Sequence, residues 1–249
     1  MRLARLLLIG LGFILAIPAL AQAPYGMATR PAFPAYLGTL PPTAPTFSGT
    51  WTAVPVWDNL TFLNPMGIAQ IPGTSRMMVW EREGRIYTFD KAPGTTAKTK
   101  VLDISPNTQG WDDCGLLGIA FHPSFTTNGY VYVYYTWIPT GTSLGSANAR
   151  PNTNTPNRNR LSRFTWNFST QLLTPASESV LIDQISETVW HDGGGLFFHP
   201  DTGFLHLTIG DDARGQNNQR INTSLHSSML RIDVDQRGGT ISHAPPRLP

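Results

Sequence analysis

From Trp51 onward, apolar residues never recur at i, i+3, i+4 and i+7 through three turns, so the chain predicts no long helix. Short apolar or alternating runs appear instead, bounded by Gly, Pro, Asn and Asp, which is the punctuation of strands and turns. Three stretches repeat one order. The first runs Met66 to Pro72, then RMMVWE (76–81), GRIYTFD (84–90) and KVLDI (100–104). The second runs Leu117 to Pro123, then GYVYVYYTW (129–137), RLSRFTWN (160–167) and SVLIDQ (179–184). The third runs Gly195 to Pro200, then GFLHLTIGD (203–211) and MLRIDVD (229–235). The equivalent glycines Gly67, Gly118 and Gly195 lie 51 and 77 residues apart. The wider gap holds an insertion rich in Asn, Thr and Pro, Pro139–Asn159, which reads as a loop.

Strand-built repeats of roughly 40–50 residues predict propeller blades. A blade cannot cover both of its faces alone, and closing a ring takes about four to eight of them. The expected fold is therefore all-β, a β-propeller with about three blades in a truncated chain. A smaller sheet or sandwich is the alternative that the residues leave open. Composition supports turns over helices, with 23 Gly and 21 Pro, while 41% hydrophobic residues supply a core. The single Cys cannot form an internal disulfide.

The first residues change the charge count. Arg2 and Arg5 precede an uncharged apolar run from Leu6 to Leu20, and Ala19-Leu20-Ala21 forms a cleavage triplet, the layout of a secretory signal peptide. The run is short for a bilayer span and contains Pro18. The expected organisation is a signal peptide over 1–21, a proline-rich lead-in over 22–50 and the propeller domain over 51–249. Removal of the two arginines leaves 16 basic against 16 acidic side chains. A neutral chain has no electrostatic footprint for nucleic acid or anionic lipid. The mature chain is expected to be periplasmic or secreted, with no membrane span.

Chemistry concentrates in three loops. In Trp190-His191-Asp192-Gly193-Gly194-Gly195 the three glycines pack nothing, so the segment reads as a loop where backbone approaches something closely. His191 suits a general base near neutral pH, and a structural turn is the other reading of the same residues. In the third unit, the stretch Thr208-Ile209-Gly210-Asp211-Asp212 follows an apolar strand and places Asp211 and Asp212 at a strand end, where sites are built. Adjacent aspartates in a turn also read as solvated. Trp111-Asp112-Asp113-Cys114-Gly115 is the corresponding loop before the second unit, with Cys114 expected to be a buried thiol. His122 and His199 share the position before the repeat proline and read as architectural. No G-x-S-x-G, zinc cluster, G-x-G-x-x-G or P-loop occurs.

Several motifs in series give the chain a resemblance. Glu83 to Ile86, Gly115 to Phe125, Asn128 to Thr136, His191 to Pro200, Thr208 to Asp211 and Leu230 to Asp235 resemble, in order, the glucose/sorbosone dehydrogenase family. That family includes the soluble quinoproteins that use pyrroloquinoline quinone (PQQ). The resemblance implies a six-bladed propeller, a sugar substrate, an external electron acceptor, and PQQ with Ca²⁺ as cofactors. It places His191 as the base taking the anomeric hydroxyl proton, Asp211 as its support, and Asp113 as a substrate contact. Trp190 stands where glucose-oxidising members carry Asp, and it is counted with the substrate-binding residues. The family's cationic groups for the quinone carboxylates fall after the third unit, beyond Pro249. A non-catalytic exported binding module is the alternative function, and a metal-dependent propeller lactonase is a third.

Overall fold

Strand pairing follows the alternation in the chain. A computed structural model describes residues 53–140, 157–220 and 223–236. The expected signal peptide, the proline-rich lead-in and most of the insertion lie outside the described residues. The first sheet pairs β1 (Pro65–Gln70), β2 (Arg76–Glu81), β3 (Arg85–Asp90) and β4 (Thr99–Asp103) antiparallel in chain order. The second joins β5 (Leu116–Phe121), β6 (Tyr130–Trp137) and β7 (Asn157–Asn167). Both β8 (Leu172–Leu173) and β9 (Ser179–Ser186) then pair with β7. The third sheet joins β10 (Gly193–Phe198), β11 (Leu205–Ile209) and β12 (Ser228–Ile232). The one α-helix among the described residues, α1 (Phe125–Asn128), turns the chain between β5 and β6 and ends at Gly129 with φ 67°. Among the described residues no helix is long and apolar enough to cross a membrane.

The second sheet lies between the other two, and β6 shows why its sequence is apolar without interruption. Side chains of a strand point alternately to opposite faces. Val131, Val133 and Tyr135 enter one buried cluster with Met78, Trp80, Ile86 and Leu102 of the first sheet. Tyr132 and Tyr134 enter a second cluster with Leu205, Leu207 and Ile209 of the third. A strand buried on both faces needs apolar residues at every position. β7 obeys the same rule with polar edges. Asn157 and Asn159 point in and are buried, while Arg158 and Arg160 point out to Asp183 at 2.8 and 3.1 Å. The expected loop at Pro139–Asn159 is thus corrected at its end, because residues 157–159 belong to β7.

The repeat glycines mark a shared irregularity. In each sheet the pairing of first and second strands slips at or beside the glycine: between Pro65 and Gly67, Leu116 and Gly118, and Gly193 and Leu196. A bulge bends and twists a strand, and it tolerates a residue without a side chain. The glycines also allow close approach between sheets. A Cβ on Gly118 would lie 2.5 Å from the Gly194 carbonyl oxygen, and one on Gly194 would lie 2.7 Å from Leu117 Cβ. Gly193 to Gly195 are therefore strand residues and not the expected loop. The close approach they permit is to β5 and to the β10–β11 hairpin.

Candidate active site

His191 lies in the turn between β9 and β10 with φ 60°, a left-handed conformation uncommon outside glycine. Three contacts hold it there. Its backbone N–H donates to Asp113 Oδ2 at 2.9 Å, bringing the turn before β5 against the turn before β10. The Tyr134 hydroxyl donates to the carbonyl of the next residue, Asp192, at 2.9 Å. Gly210, just after β11, lies so close to the His191 carbonyl that any Cβ there would run into it.

The imidazole Nδ1 of His191 lies 2.7 Å from Asp211 Oδ1, while the ring remains 59% exposed. Asp211 holds its carboxylate in place by also accepting the Ala213 N–H at 3.1 Å. The hydrogen bond to Asp211 raises the His191 pKa above 6.5, and the Asp211 charge adds to it. The same bond holds Asp211 below the usual carboxylate range. With Nδ1–H committed to Asp211, the neutral ring keeps its lone pair on Nε2. The pair can therefore take a proton at Nε2 and stabilise the resulting imidazolium.

Three predicted residues, His191, Asp211 and Asp113, thus meet from three different turns. Trp190 precedes His191 in the same turn and is half-buried, with its N–H donating to Thr188 Oγ1 at 3.2 Å. His122 and His199 lie elsewhere. His122 is buried, with Nε2 2.9 Å from Asp235 Oδ1, and His199 Nδ1 accepts the Asp201 N–H at 3.2 Å. Cys114 is fully buried, and burial pushes its thiol far up.

Beneath the exposed pair lies a buried one that sequence reasoning missed. Asp192 and Asp212 each follow a site residue by one position and are 0% and 1% exposed. Asp212 was expected to be solvated, yet it accepts hydrogen bonds from Ser186 Oγ, Glu187 N and Thr188 N at 2.9, 2.9 and 3.0 Å. Ser186 Oγ lies 3.2 Å from Asp192 Oδ1, and the Cys114 thiol donates to Asp192 Oδ2 at 3.1 Å. The only signal for this layer in the sequence is its position, each acid directly following an exposed partner.

The charge around the ring bears on cofactors. Asp211, Asp113 and Asp192 all act on the imidazole in the same direction. Arg214 is ion-paired with Glu187, and Arg82 donates to the Asp112 carbonyl at 3.1 Å with its guanidinium over the Trp111 ring. A tricarboxylate such as PQQ needs cations, and these two arginines are already engaged with protein partners. Among them, no group of three or more His, Cys, Asp or Glu is placed to hold a metal.

Comparison with known proteins places the chain in a family. Residues 62–247 match the family described as Glucose / Sorbosone dehydrogenase. The chain is 29% identical over 151 residues to quinoprotein glucose dehydrogenase B of Acinetobacter calcoaceticus, covering 56% of this chain and 29% of that protein. It is 28% identical over 185 residues to the mouse and human Hedgehog-interacting proteins, covering 70% of this chain and 25% of theirs. The PQQ-bound aldose sugar dehydrogenase of Streptomyces coelicolor superposes with TM-score 0.53 at 25% identity, over 70% of this chain and 46% of that one. The fold is that of the β-propeller sugar dehydrogenases. The chain spans less than half the length of each of these relatives.

Proposed function

Because the chain belongs to the glucose/sorbosone dehydrogenase family, we propose that it serves as an exported aldose sugar dehydrogenase whose general base is His191. The observation that carries this reading is the 2.7 Å contact of His191 Nδ1 with Asp211 Oδ1, which leaves Nε2 as the proton-accepting nitrogen of an exposed ring. Oxidation at an anomeric carbon removes the hydroxyl proton as the C–H bond breaks. A positioned imidazole accepts that proton, and a paired carboxylate steadies the charge it acquires. PQQ, when bound, supplies the two-electron acceptor of such a reaction. Asp113 and Trp190 flank the base and are the proposed substrate contacts.

The reading includes Ca²⁺ beside the quinone and an external electron acceptor, and it assigns no described residue to either. Export to the periplasm or the medium rests on the signal-like sequence before Gln22. A non-catalytic binding module is the second reading. It is favoured by the acidic surroundings of His191, which suit a hydroxyl proton and repel a carboxylate-rich cofactor.

One titration separates the two. PQQ and Ca²⁺ are added to the purified chain, and dye reduction is followed with a panel of aldoses. The dehydrogenase reading expects quinone binding and aldose-dependent dye reduction. Absence of quinone binding would support the binding module.

A further inference from the structure

Ser186 carries one hydroxyl proton and faces two buried carboxyls. Its Oγ lies 2.9 Å from Asp212 Oδ1 and 3.2 Å from both Asp192 Oδ1 and the Thr188 carbonyl oxygen. The shorter contact takes the proton, so Asp192 Oδ1 faces the hydroxyl's lone pairs. Of the two oxygens left at 3.2 Å, the Thr188 carbonyl can only accept, so the carboxyl is the partner able to bring a hydrogen to the hydroxyl. Asp212 does not bring it. Its oxygens are already engaged by Glu187 N–H, Thr188 N–H and the Thr188 hydroxyl at 2.9, 3.0 and 2.9 Å. Asp192 Oδ2 accepts the Cys114 S–H, which leaves Oδ1 as the oxygen able to bear a proton toward Ser186.

We propose that Asp192 is a positioning residue that works as the neutral acid, its O–H donating to Ser186 Oγ and Ser186 in turn to Asp212. This short chain of hydrogen bonds ties together the two turns that carry His191 and Asp211, each of which immediately precedes a member of the buried pair. The groups facing Asp192 are Cys114 from the turn before β5, Tyr134 from β6, Asn159 from β7, Ser186 from β9 and Asp212 after β11, while Asp113 acts on the neighbouring His191. Only the adjacent His191 can carry positive charge, and it lies on the exposed side. Burial pushes the Asp192 carboxyl up to about 7, the Asp212 charge adds to this, and the contacts with Cys114, Asn159 and Ser186 oppose it. Above neutrality this hydrogen-bond chain loses its proton, two carboxylates share one hydroxyl, and the link between the two turns weakens.

The importance of Asp192 for catalysis rests on the reading of His191 as the base; its protonation and its hold on the turns do not. The test is accordingly free of substrate and cofactor. The Asp192 carboxyl carbon and the His191 ring are titrated by NMR in the full chain, with Asp192→Asn and Asp192→Ala for comparison. Asp192 is expected to titrate near neutrality and not at the ~3.9 of an ordinary aspartate. The amide of Asp192→Asn replaces the O–H donor, so the His191 ring keeps its raised pKa, whereas Asp192→Ala brings it down toward 6.5. Titration of Asp192 in the ordinary range overturns the proposal, as does a His191 ring that shifts equally in the Asn and Ala variants. If the Ala variant does not fold, the wild-type titration and the Asn variant decide the matter alone. Failure of PQQ binding would remove the dehydrogenase reading and leave these results standing.

Discussion

Asp113 caps the backbone N–H of His191 at 2.9 Å, so a carboxylate before β5 fixes a turn that precedes β10. The contact joins the second and third sheets at the point where the candidate base sits. Asp113→Ala removes the acceptor and is expected to cost about 1 kcal/mol in urea unfolding with an unchanged slope. Asp113→Asn keeps an acceptor oxygen and restores most of that loss. Equal losses in both variants would show that the backbone cap is not what Asp113 contributes.

Gly210 makes the same junction possible from below. Any side chain there meets the His191 carbonyl, backbone against backbone, and neither strand end can retreat without breaking its pairing. Gly210→Ala is expected to destabilise by roughly 2–4 kcal/mol, in the range of strain at special backbone sites. It should also lower the His191 ring pKa, because the turn that presents the ring must shift. NMR of the ring reads that shift directly, and an unmoved ring in a folded variant would contradict the geometry.

Much of this arrangement was legible in the sequence, and the reasons are local. The run GYVYVYYTW reads as a strand and Gly67, Gly118 and Gly195 as equivalent repeat positions, because alternation and missing side chains act within a few residues; the burial of β6 on both faces and the bulges at the glycines show only in the sheets. His191, Asp211 and Asp113 were recoverable from their equivalent places before or after strands of the repeat. The buried pair was not. Asp192 and Asp212 look like ordinary turn acids, and only the approach of Ser186, 6 and 26 residues away, distinguishes them. The glycines at 193–195 misled for a related reason, since composition alone does not reveal that β11 will pair with them.

The His191–Asp211 bond fixes a pH dependence and its sign. The folded pKa of His191 lies above 6.5. Its contribution to stability is present below the unfolded value and is lost as pH rises through the folded one. A base must be neutral to act, so the acidic limb of kcat/KM is expected at an apparent pKa above 6.5. Asp211→Asn removes the charge and moves that limb downward while lowering kcat. A limb that stays in place in Asp211→Asn would separate it from His191.

His122 is expected to matter for stability alone. Its Nδ1 accepts the Ser124 N–H at 3.0 Å, so Nε2–H donates to Asp235 at 2.9 Å, linking the end of β5 to the segment after β12. Asp235→Ala strands a buried N–H and should cost about 1–3 kcal/mol by urea denaturation. The His191 ring titration should be unchanged in that variant. A shifted ring would mean that the two histidines are coupled.

The central claim is that His191 takes the substrate proton. The most direct measurement is kcat for aldose oxidation, with PQQ and Ca²⁺ supplied, by the wild type and by His191→Ala. The account predicts a loss of about 10²–10⁴-fold in kcat with the fold retained. A His191→Ala protein that oxidises aldoses at the wild-type rate would contradict it.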